Sequence, residues 1–392
     1  MISVHEALEQ ILSKVTETCS EQVSVVNAMG RVLAQDVIAR LTQPRSDVSA
    51  MDGYAVLNRD VADCPTSLNV IGESAAGGCF EGEVKSGQAV RIFTGAPVPK
   101  GTDAIVIQED TTREGDVVHV LEPADAGRFI RPAGLDFKAG ESLIKAGRRL
   151  SARDLGLAAA ANVPWLMARR KPRIAIIATG NEVVMPGEPL GDNQIVSSNS
   201  VMLSSYVKSL GAEAIDLGIA RDDEASLTRL VTSASEADML VTIGGASVGD
   251  YDLVNQVLGN EGVDLGFYRV AMRPGKPLIF GKLHGTPVLG LPGNPVSVGV
   301  TSAVFLKPAI AAMLGEDAKP PLQPAVLGCD LTENDQRQDY LRATLKDNVA
   351  TPFSKQDSAM LARFADADCL IVRAPHAPSI KAGASINVIP LS

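Results

Sequence analysis

Residues 239–252 read MLVTIGGASVGDYD, an apolar run that ends in paired glycines and is followed by a serine and two acids. Met239–Ile243 has the short, β-rich and non-alternating composition typical of a strand buried on both faces. Gly244 and Gly245 allow a sharp turn, and the segment after Gly249 can begin a helix whose free N–H groups face an anion. Such a turn lies where open α/β sheets bind ligands, beyond the carboxyl ends of the strands. A strand-to-helix loop that binds nothing has the same composition, so both interpretations stay open at this point.

The chain after residue 170 alternates between predicted strands and predicted helices. Apolar, β-rich runs predict strands at 173–180, 214–217, 239–243, 267–270, 277–280 and 288–291. Helical periodicity and capping residues predict helices at 200–210, at 223–234, near 253 and at 296–314. Alternation of this kind is typical of a doubly wound, mostly parallel α/β sheet.

The residues on either side of this region have the patterns of separate units. Ser3 and Glu6 stand at capping-box spacing before an apolar helical face, and Ser151 precedes an Ala-rich run, so both segments predict helices. Residues 22–130 and 317–392 contain short β-rich runs separated by Gly, Pro and Asp, which is typical of small β units. The predicted fold class is therefore multidomain α/β plus β.

Four domains are predicted from these patterns. They are a helical and extended linker domain at 1–45 and 128–170, an inserted β-rich domain at 46–127, an α/β domain at 171–316, and a small, β-barrel-like C-terminal domain at 317–392. The chain has 392 residues, 45% of them hydrophobic, which is enough for about two to four hydrophobic cores.

Composition and charge argue against several classes of partner. The net charge is −10, with 46 acids against 36 bases, so neither a nucleic-acid surface nor an anionic-membrane surface is expected. The N-terminus MISVHEALEQ carries acids where a signal peptide needs an apolar core. The best candidate for an apolar run of membrane-spanning length is interrupted by Gly156, Asn162 and Pro164. We therefore expect a cytoplasmic protein without a membrane span.

The spacing of cysteine and histidine argues against a zinc site. The five cysteines contain no CxxC pair, and the four histidines contain no HxxxH or HExxH pattern. Metal binding is then left to carboxylates, which favours a hard ion such as Mg²⁺.

Five loops combine Gly or Pro with polar residues next to an apolar strand. They are ATGNE (178–182), RDD (221–223), GGASVGDYD (244–252), MRPGKP (272–277) and LPGNP (291–295). An α/β sheet would place most of them on one rim, because the carboxyl ends of parallel strands share an edge. Four acids, Glu182, Asp222, Asp250 and Asp252, are then expected near Arg273 and Lys276. Acids of this kind can hold Mg²⁺, while the bases and backbone N–H groups can hold phosphate.

Each loop also has a purely structural interpretation. Asp222 and Asp223 precede a predicted helix, where acids cap the helix and favour its dipole. Glu182 has the properties of an exposed loop acid. These alternatives remain open for the acids on the basis of spacing alone.

The bases and prolines of the same loops have equally simple alternatives. Arg273 and Lys276 flank Pro and Gly as residues of a solvated turn do, although two bases around a rigid turn suit an oxyanion. Pro292 and Pro295 stiffen the loop that contains them. No single loop decides between binding and structure.

Two motifs in the β-rich half mix small, polar and Pro positions without periodicity. They are SAMDGYAV (49–56) and RIFTGAPVPKGTDAIVIQED (91–110). Turn chemistry explains their Gly and Pro, but it does not require Asp52 or Thr94. A structural Asx-type role and a ligand contact remain open for both residues.

These motifs, in this order and spanning about residues 1–392, resemble those of the molybdopterin molybdenumtransferase family, which comprises the bacterial MoeA enzymes and the E domain of gephyrin. The resemblance implies that the α/β domain is of the molybdopterin-binding type. It also implies an elongated homodimer of four-domain subunits. The implied activity is the insertion of molybdate into adenylylated molybdopterin, with release of AMP in a Mg²⁺-dependent step.

The resemblance also assigns expected roles to residues. Asp136 matches the acid of the family's basic linker loop, and Asp52 and Thr94 match residues that reach toward the partner subunit's site. Glu182, Asp222 and Asp252 match acids that rim the pterin-binding domain. Together with Asp136 these three acids are the predicted catalytic residues. Glu182, Asp222 and Asp252, without Asp136, are also the predicted Mg²⁺ ligands. The predicted substrate-binding residues are Asp52, Thr94, Gly244, Gly245, Ser247, Arg269, Arg273, Lys276, Pro292, Pro295 and Ser358.

Two departures from the family's pattern concern predicted site residues. Arg269 and Arg273 stand where relatives often carry Lys, which keeps the positive charge but changes the hydrogen-bond geometry. Ser358 in QDSAML resembles the family's QGS turn, with Asp357 in place of Gly. That replacement leaves the role of Ser358 open.

Charge determines the expected mechanism. The substrate carries a pyrophosphate-like anhydride and molybdate is a dianion, so cations must bring them together before any bond breaks. Mg²⁺ held by the acids, together with Arg269, Arg273, Lys276 and the glycine-loop N–H groups, would supply that charge. The expected partners are adenylylated molybdopterin, molybdate, a second copy of the chain and a molybdopterin adenylyltransferase.

Two other functions compete with this one. An adenylyltransferase that makes adenylylated molybdopterin uses a related pterin-binding fold, but it does not explain the long β domain or the C-terminal unit. A non-catalytic, gephyrin-like dimeric scaffold does not explain the number of converging acids. Both alternatives make different predictions for the fate of ATP and AMP.

Overall fold

The computed structural model describes residues 1–244 and 264–391. The chain forms two compact units. Unit 1 contains residues 1–21, 30–34 and the described residues from 168 onward, and unit 2 contains residues 22–29 and 35–167. The predicted helix near residue 253 lies outside the described residues.

The described helices are numbered in chain order. They are α1 (Val4–Leu12), α2 (Ala152–Ala160), α3 (Ser198–Ser209), α4 (Glu224–Ser233), α5 (Pro295–Thr301), α6 (Lys307–Leu314) and α7 (Leu361–Ala365). A π-helical turn, Ser302–Leu306, joins α5 to α6.

The described strands fall into three larger sheets and several short pairs. Those up to residue 169 are β1 (Ser20–Ser24), β2 (Val37–Ile38), β3 (Val48–Ser49), β4 (Gly53–Val56), β5 (Thr66–Ser74), β6 (Gln88–Ile92), β7 (Ala104–Ile107), β8 (Thr111–Glu114), β9 (Val117–Val120), β10 (Ile130–Arg131), β11 (Ser142–Ile144) and β12 (Trp165–Arg169). Those of the α/β region are β13 (Arg173–Thr179), β14 (Val183–Val184), β15 (Ile195–Val196), β16 (Glu213–Ala220), β17 (Met239–Ile243), β18 (Asp264–Arg269), β19 (Met272–Arg273), β20 (Pro277–Leu283) and β21 (Thr286–Leu291). The last five are β22 (Gln323–Leu327), β23 (Gln338–Lys346), β24 (Val349–Pro352), β25 (Cys369–Arg373) and β26 (Ser385–Pro390).

The two helices predicted from capping residues are confirmed. Ser3 Oγ accepts from the Glu6 N–H at 3.1 Å, and Glu6 Oε2 accepts from the Ser3 N–H at 2.8 Å, so α1 begins with a complete capping box. Ser151 and Asp154 form the same reciprocal pair at the start of α2. These side chains satisfy N–H groups that a helix leaves without intrahelical partners.

The central sheet of unit 1 has the order β16-β13-β17-β21-β20-β18. The first four strands are parallel, whereas β20 is antiparallel to both β21 and β18. The prediction of a mostly parallel sheet is therefore confirmed. Because β18 is antiparallel to β20, it has the same direction as the first four strands, and β20 alone runs opposite to the other described strands of this sheet.

Both faces of this sheet are covered by helices. Met239, Val241 and Ile243 of β17 belong to a core cluster that includes side chains of α1, α3, α5 and α6. Leu240 of the same strand belongs to a second cluster with Leu227 and Val231 of α4. Successive residues of a strand point to opposite faces, so β17 is buried on both sides and needs an apolar run without alternation.

The segment Pro295–Leu314 corrects one expectation. It is 20 residues long and, within the described residues, it is the one helical segment whose length and composition would allow it to cross a membrane. The region around Gly156, the best candidate from the sequence, forms only the nine-residue helix α2. However, 83% of the most apolar window in 295–314 is buried inside the protein, which accounts for its composition as a core helix of unit 1.

The C-terminal strands form a closed sheet. Its order is β19-β23-β24-β22-β26-β25, and β25 also pairs with β23. This additional pairing closes the five strands from β23 to β25 into a ring, with β19 paired to the outside of β23, so the predicted β-barrel-like fold is confirmed. Its small core contains Leu327, Ala343, Ile371 and Val388.

Unit 2 is organised around a six-stranded sheet with the order β7-β4-β6-β5-β9-β8. Gly53 lies in β4, the strand next to the edge strand β7, where a Cβ atom would overlap the carbonyl of Val106. The prediction of a β-rich unit in this half of the chain is confirmed. The four domain boundaries remain predictions, although Val4, Ala7 and Ile11 of α1 pack in the core of unit 1.

Candidate functional site

A cavity of about 700 Å³ opens at the carboxyl ends of the parallel strands of unit 1. Thr179 and Gly180 at the end of β13, and Ile243 and Gly244 at the end of β17, form part of its wall. The other lining residues are Ala178, Glu182, Val183, Ile195, Val196, Ser197, Ser198, Asn199, Asp222, Pro277, Pro292, Gly293, Asn294 and Pro295. The cavity therefore lies where the sheet topology predicts a ligand site.

Two glycines let the chain turn at this rim. Gly244 has φ +90°, and a Cβ atom there would lie 3.0 Å from Thr179 Oγ1. Gly180 has φ +135°, and its Cβ atom would lie 2.6 Å from Glu182 Oε2. Side chains other than glycine are strained at these φ values and would also crowd the cavity wall.

Two hydrogen bonds join the loops that follow β13 and β16 at the cavity. Asp222 Oδ2 accepts from the Asn181 N–H at 3.0 Å, and the Asp222 N–H donates to Asn181 Oδ1 at 3.2 Å. Glu182 and Asp222 are both exposed and both line the cavity. The structure thus brings together two of the three acids that were predicted to bind metal.

The adjacent acid Asp223 has a different role. It is the N-cap of α4, and its Oδ1 accepts from the Ser226 N–H at 2.7 Å. The capping interpretation therefore applies to Asp223, while the Asp222 carboxylate faces the cavity.

Three predicted site residues, Gly245, Ser247 and Asp252, lie outside the described residues. Within 1–244 and 264–391 there is no group of three or more His, Cys, Asp and Glu side chains that could hold a metal ion. Glu182 and Asp222 supply two carboxylates to the cavity, and hard ions such as Mg²⁺ take oxygen ligands of this kind. These two residues fit a Mg²⁺ site to which a further ligand is added.

The LPGNP loop and the C-terminal QDSAML turn meet at the same rim. Asn294 Nδ2 donates to Ser358 Oγ at 3.1 Å, and the Val296 N–H donates to the Ser358 carbonyl at 3.1 Å. Pro292 and Pro295 line the cavity directly. Ser358 is thus placed one hydrogen bond away from the cavity wall.

The predicted cations are distributed differently from the expectation. Arg273 was expected beside the acids, but its guanidinium lies in a second cavity of about 350 Å³ and pairs with Asp335 and Asp339. The reason is the strand pairing, since β19 runs parallel to β23 with Arg273 opposite Asp339. Arg269 stacks over the ring of Tyr268, with 5.5 Å between the guanidinium carbon and the ring centroid.

The remaining part of the MRPGKP turn stays near the first cavity. Pro277 lines it, and Lys276, the preceding residue, is exposed. Lys276 forms no ion pair with another residue in the part of the chain that the structure describes.

Asp52 and Thr94 lie side by side in unit 2. The Thr94 N–H and Oγ1 both donate to Asp52 Oδ1, at 2.7 and 2.8 Å. The backbone N–H of Thr94 is the main cause that lowers the pKa of Asp52, and the Thr94 hydroxyl adds to it. One carboxylate oxygen therefore has an Asx-type structural role, and substrate contact stays a prediction.

Asp136 is an exposed residue of unit 2. Its backbone N–H donates to the carbonyl of Gln43 at 3.0 Å. This bond fixes the loop but leaves the carboxylate at the surface. Its predicted catalytic role stays a prediction.

Two asparagines of the cavity were not predicted. Asn199, in the first turn of α3, donates from Nδ2 to the Gly293 carbonyl at 2.7 Å, while its buried Oδ1 has no partner among the described residues. Asn294 is the residue that bonds Ser358. The polar run SSNS before the periodic part of α3 was the available signal for Asn199, because polar residues at a helix start beyond a strand are common in ligand sites.

Comparison with known proteins agrees with this geometry along the whole chain. Three family models match consecutive parts of it: the MoeA N-terminal region (domain I and II) at 2–162, a probable molybdopterin binding domain at 175–312, and the MoeA C-terminal region (domain IV) at 324–391. The cavity lies within residues 175–312.

Individual relatives support the same assignment. The chain is 40% identical to a molybdopterin molybdenumtransferase of Nostoc sp. over 80% of its own length and 75% of that protein. It is 34% identical to a molybdopterin molybdenumtransferase of Haemophilus influenzae over 98% of both chains. The solved structure of a molybdopterin biosynthesis MoeA protein from Pyrococcus horikosii has a TM-score of 0.88 and 31% identity, covering 100% of this chain and 99% of that one. The chain therefore belongs to the MoeA family.

Proposed function

We propose that this protein is a molybdopterin molybdenumtransferase, which inserts molybdate into adenylylated molybdopterin and releases AMP. The observation that carries the proposal is the cavity at the ends of β13 and β17, which presents Glu182 and Asp222 within the part of the chain that matches a molybdopterin binding domain. The names of the relatives support the same reaction. Its site of action is proposed to be the cytoplasm.

The charged and the neutral polar residues of the cavity have different proposed roles. Glu182, Asp222 and the predicted ligand Asp252 would hold Mg²⁺, which supplies positive charge to the anhydride when bound. The turns at Gly180 and Gly244 expose backbone at the wall, so that a phosphate group can approach closely. Asn199 and Asn294 add polar groups that orient the substrate by hydrogen bonds. In the proposed reaction water adds across the anhydride, so that the P–O–P bond breaks into AMP and the phosphate of molybdopterin. The two dithiolene sulfurs bind molybdenum as one molybdate oxygen leaves as water with the two thiol protons.

One assay separates this function from its alternatives. The protein is mixed with adenylylated molybdopterin, Mg²⁺ and molybdate, and AMP and the molybdenum-loaded pterin are measured. We expect AMP release that requires molybdate, stops with a chelator and returns with Mg²⁺. Consumption of ATP with free molybdopterin would instead show an adenylyltransferase, and tight binding without turnover would show a scaffold. A requirement for stoichiometric zinc would contradict the assignment of Mg²⁺.

We also propose that the active protein is a homodimer. The resemblance implies that the Asp52 and Thr94 loops of one copy complete the cavity of the other, and that a molybdopterin adenylyltransferase is a further partner. Among the described residues, the wall of the unit 1 cavity contains two acids and no Lys, Arg or His. A substrate with several negative charges requires cations, which a second copy of the chain would supply.

A further inference from the structure

The turn at residues 272–277 lies beside two cavities of unit 1. Pro277 lines the 700 Å³ cavity, and Arg273 lines the second cavity of about 350 Å³. Gly275 has φ +105°, and a Cβ atom there would lie 2.5 Å from Thr301 Cγ2 in α5. The turn therefore packs closely against α5, the helix that begins at the cavity. Because Pro277 belongs to both the turn and the cavity wall, a shift of the turn would move part of that wall.

The Arg273 guanidinium donates hydrogen bonds to three residues of the C-terminal sheet region. Nη1 donates to Asp335 Oδ2 at 3.3 Å, and Nη2 donates to Asp339 Oδ2 and, at 3.4 Å, to Asn334 Oδ1. The Asp339 side chain is only 6% exposed. A planar guanidinium suits such a set of acceptors better than an ammonium group, because its donors have a fixed fork geometry.

A second arginine keeps Asp335 charged. Arg337 Nη2 donates to Asp335 Oδ2 at 2.8 Å, and the Arg337 N–H donates to Asp335 Oδ1 at 2.8 Å. The hydrogen bond from the Arg337 side chain is the main cause that lowers the pKa of Asp335 to about 2, and the charge of Arg273 adds to the effect. Asp335 is therefore ionised at neutral pH and remains a partner for Arg273.

The main chain ties the turn to the same sheet. The Gln338 N–H donates to the Ala271 carbonyl at 2.9 Å, and β19 pairs with β23 through Met272 and Gln338 and through Arg273 and Asp339. Side-chain and backbone contacts thus converge on one short segment. An anion that recruited Arg273 would have to leave the buried Asp339 carboxylate without its cation, which is strongly unfavourable.

We propose that Arg273 is a positioning residue, which fastens the 272–277 turn to Asp335 and Asp339, and that Lys276 is the cation of this turn that meets the anionic substrate. Lys276 is exposed and unpaired among the residues described, next to the cavity residue Pro277. The identity of that anion rests on the proposed function. The fastening by Arg273 does not depend on it.

A double-mutant cycle tests the fastening without any activity measurement. Arg273→Met and Asp339→Asn are each expected to lower Tm by about 4 °C or more, because each removes one partner of an ion pair whose carboxylate is buried. The Tm of the double variant is expected to equal or exceed that of the less stable single variant, since both substitutions remove the same interaction. Additive losses of Tm would overturn the proposal.

Binding and kinetics test the division of roles between the two cations. With molybdate alone as the probe, Lys276→Met is expected to weaken binding about tenfold at an unchanged Tm, while Arg273→Met changes it by less than about threefold. In turnover, Arg273→Met and Asp339→Asn are expected to lower kcat by similar factors with little change in the KM for molybdate. Arg273→Lys is expected to restore part of kcat, because an ammonium group can keep one of the two ion pairs.

A rise of ten-fold or more in the molybdate KM for Arg273→Met, without the same rise for Asp339→Asn, would show that Arg273 binds the anion and would overturn the proposal. An absence of turnover in the unchanged protein would reject the proposed function instead. In that case the Tm cycle would still decide whether Arg273 fastens the turn.

Discussion

At the scale of single residues, Asp222 and Asp223 show how neighbouring acids acquire different roles. Asp222 faces the cavity, whereas Asp223 caps α4. We predict that Asp222→Asn lowers the rate of AMP release about a hundredfold or more, the size expected when a preorganised charge is lost. The asparagine oxygen can still accept from the Asn181 N–H, so Tm is expected to stay the same.

Asp223→Asn is the matched control for this prediction. Asparagine caps helices about as well as aspartate, so both the rate and Tm are expected to remain near those of the unchanged protein. Equal loss of activity in the two variants would contradict the separate roles, since it would show that the charge of the whole loop matters and not the position of Asp222. The measurements are AMP release at saturating substrate and thermal unfolding.

The pair formed by Asp52 and Thr94 predicts an acid dependence of stability. The pKa of Asp52 is lower in the folded protein than in the unfolded chain, mainly because the Thr94 N–H donates to its carboxylate. Its stabilising contribution is therefore present above the unfolded pKa of about 3.9 and is lost as the pH falls through the folded pKa. The free energy of unfolding, measured with urea at pH 5 and at pH 2.5, is expected to fall less between the two pH values for Asp52→Asn than for the unchanged protein. Identical losses would argue against the pair.

At the scale of elements, the contact between α5 and α7 depends on a glycine. A Cβ atom at Gly299 would overlap the ring of Phe364, so this helix pair packs closely only because position 299 has no side chain. We predict that Gly299→Ala lowers the free energy of unfolding by about 1–3 kcal/mol, which is typical of overpacking. The double variant with Phe364→Leu is expected to recover part of the loss in denaturant unfolding. A fully stable Gly299→Ala protein would show that α7 moves away at little cost.

At the scale of the whole molecule, the proposed homodimer predicts complementation between inactive variants. Asp52→Ala and Asp222→Ala are each expected to be nearly inactive. If the site combines residues from two copies, a co-expressed mixture contains heterodimers that have one intact site, and it should recover about a quarter of full activity. Sedimentation of the mixture supplies the control for assembly. Full activity of a strictly monomeric protein, or no recovery in mixed dimers, would contradict the shared site.

Much of the fold could be predicted because its signals are local. The strand Met239–Ile243, the capping boxes that begin with Ser3 and Ser151, and the helix that follows Asp223 depend on residues only a few positions apart. Burial on both faces requires an uninterrupted apolar run, and a helix start requires acceptors for its free N–H groups. The order of these elements then predicted the mostly parallel sheet and its ligand-binding edge.

The contents of the site depended on tertiary structure, because its contacts join distant parts of the chain. Ser358 reaches the cavity through Asn294, 64 residues earlier, and Arg273 is drawn away from the acids by Asp339, 66 residues later. Sequence spacing indicated which residues carry suitable chemistry, including Glu182 and Asp222. Only the pairing of β19 with β23 decided that Arg273 has carboxylate partners, since strand register over such separations results from packing of the whole unit and leaves no local pattern.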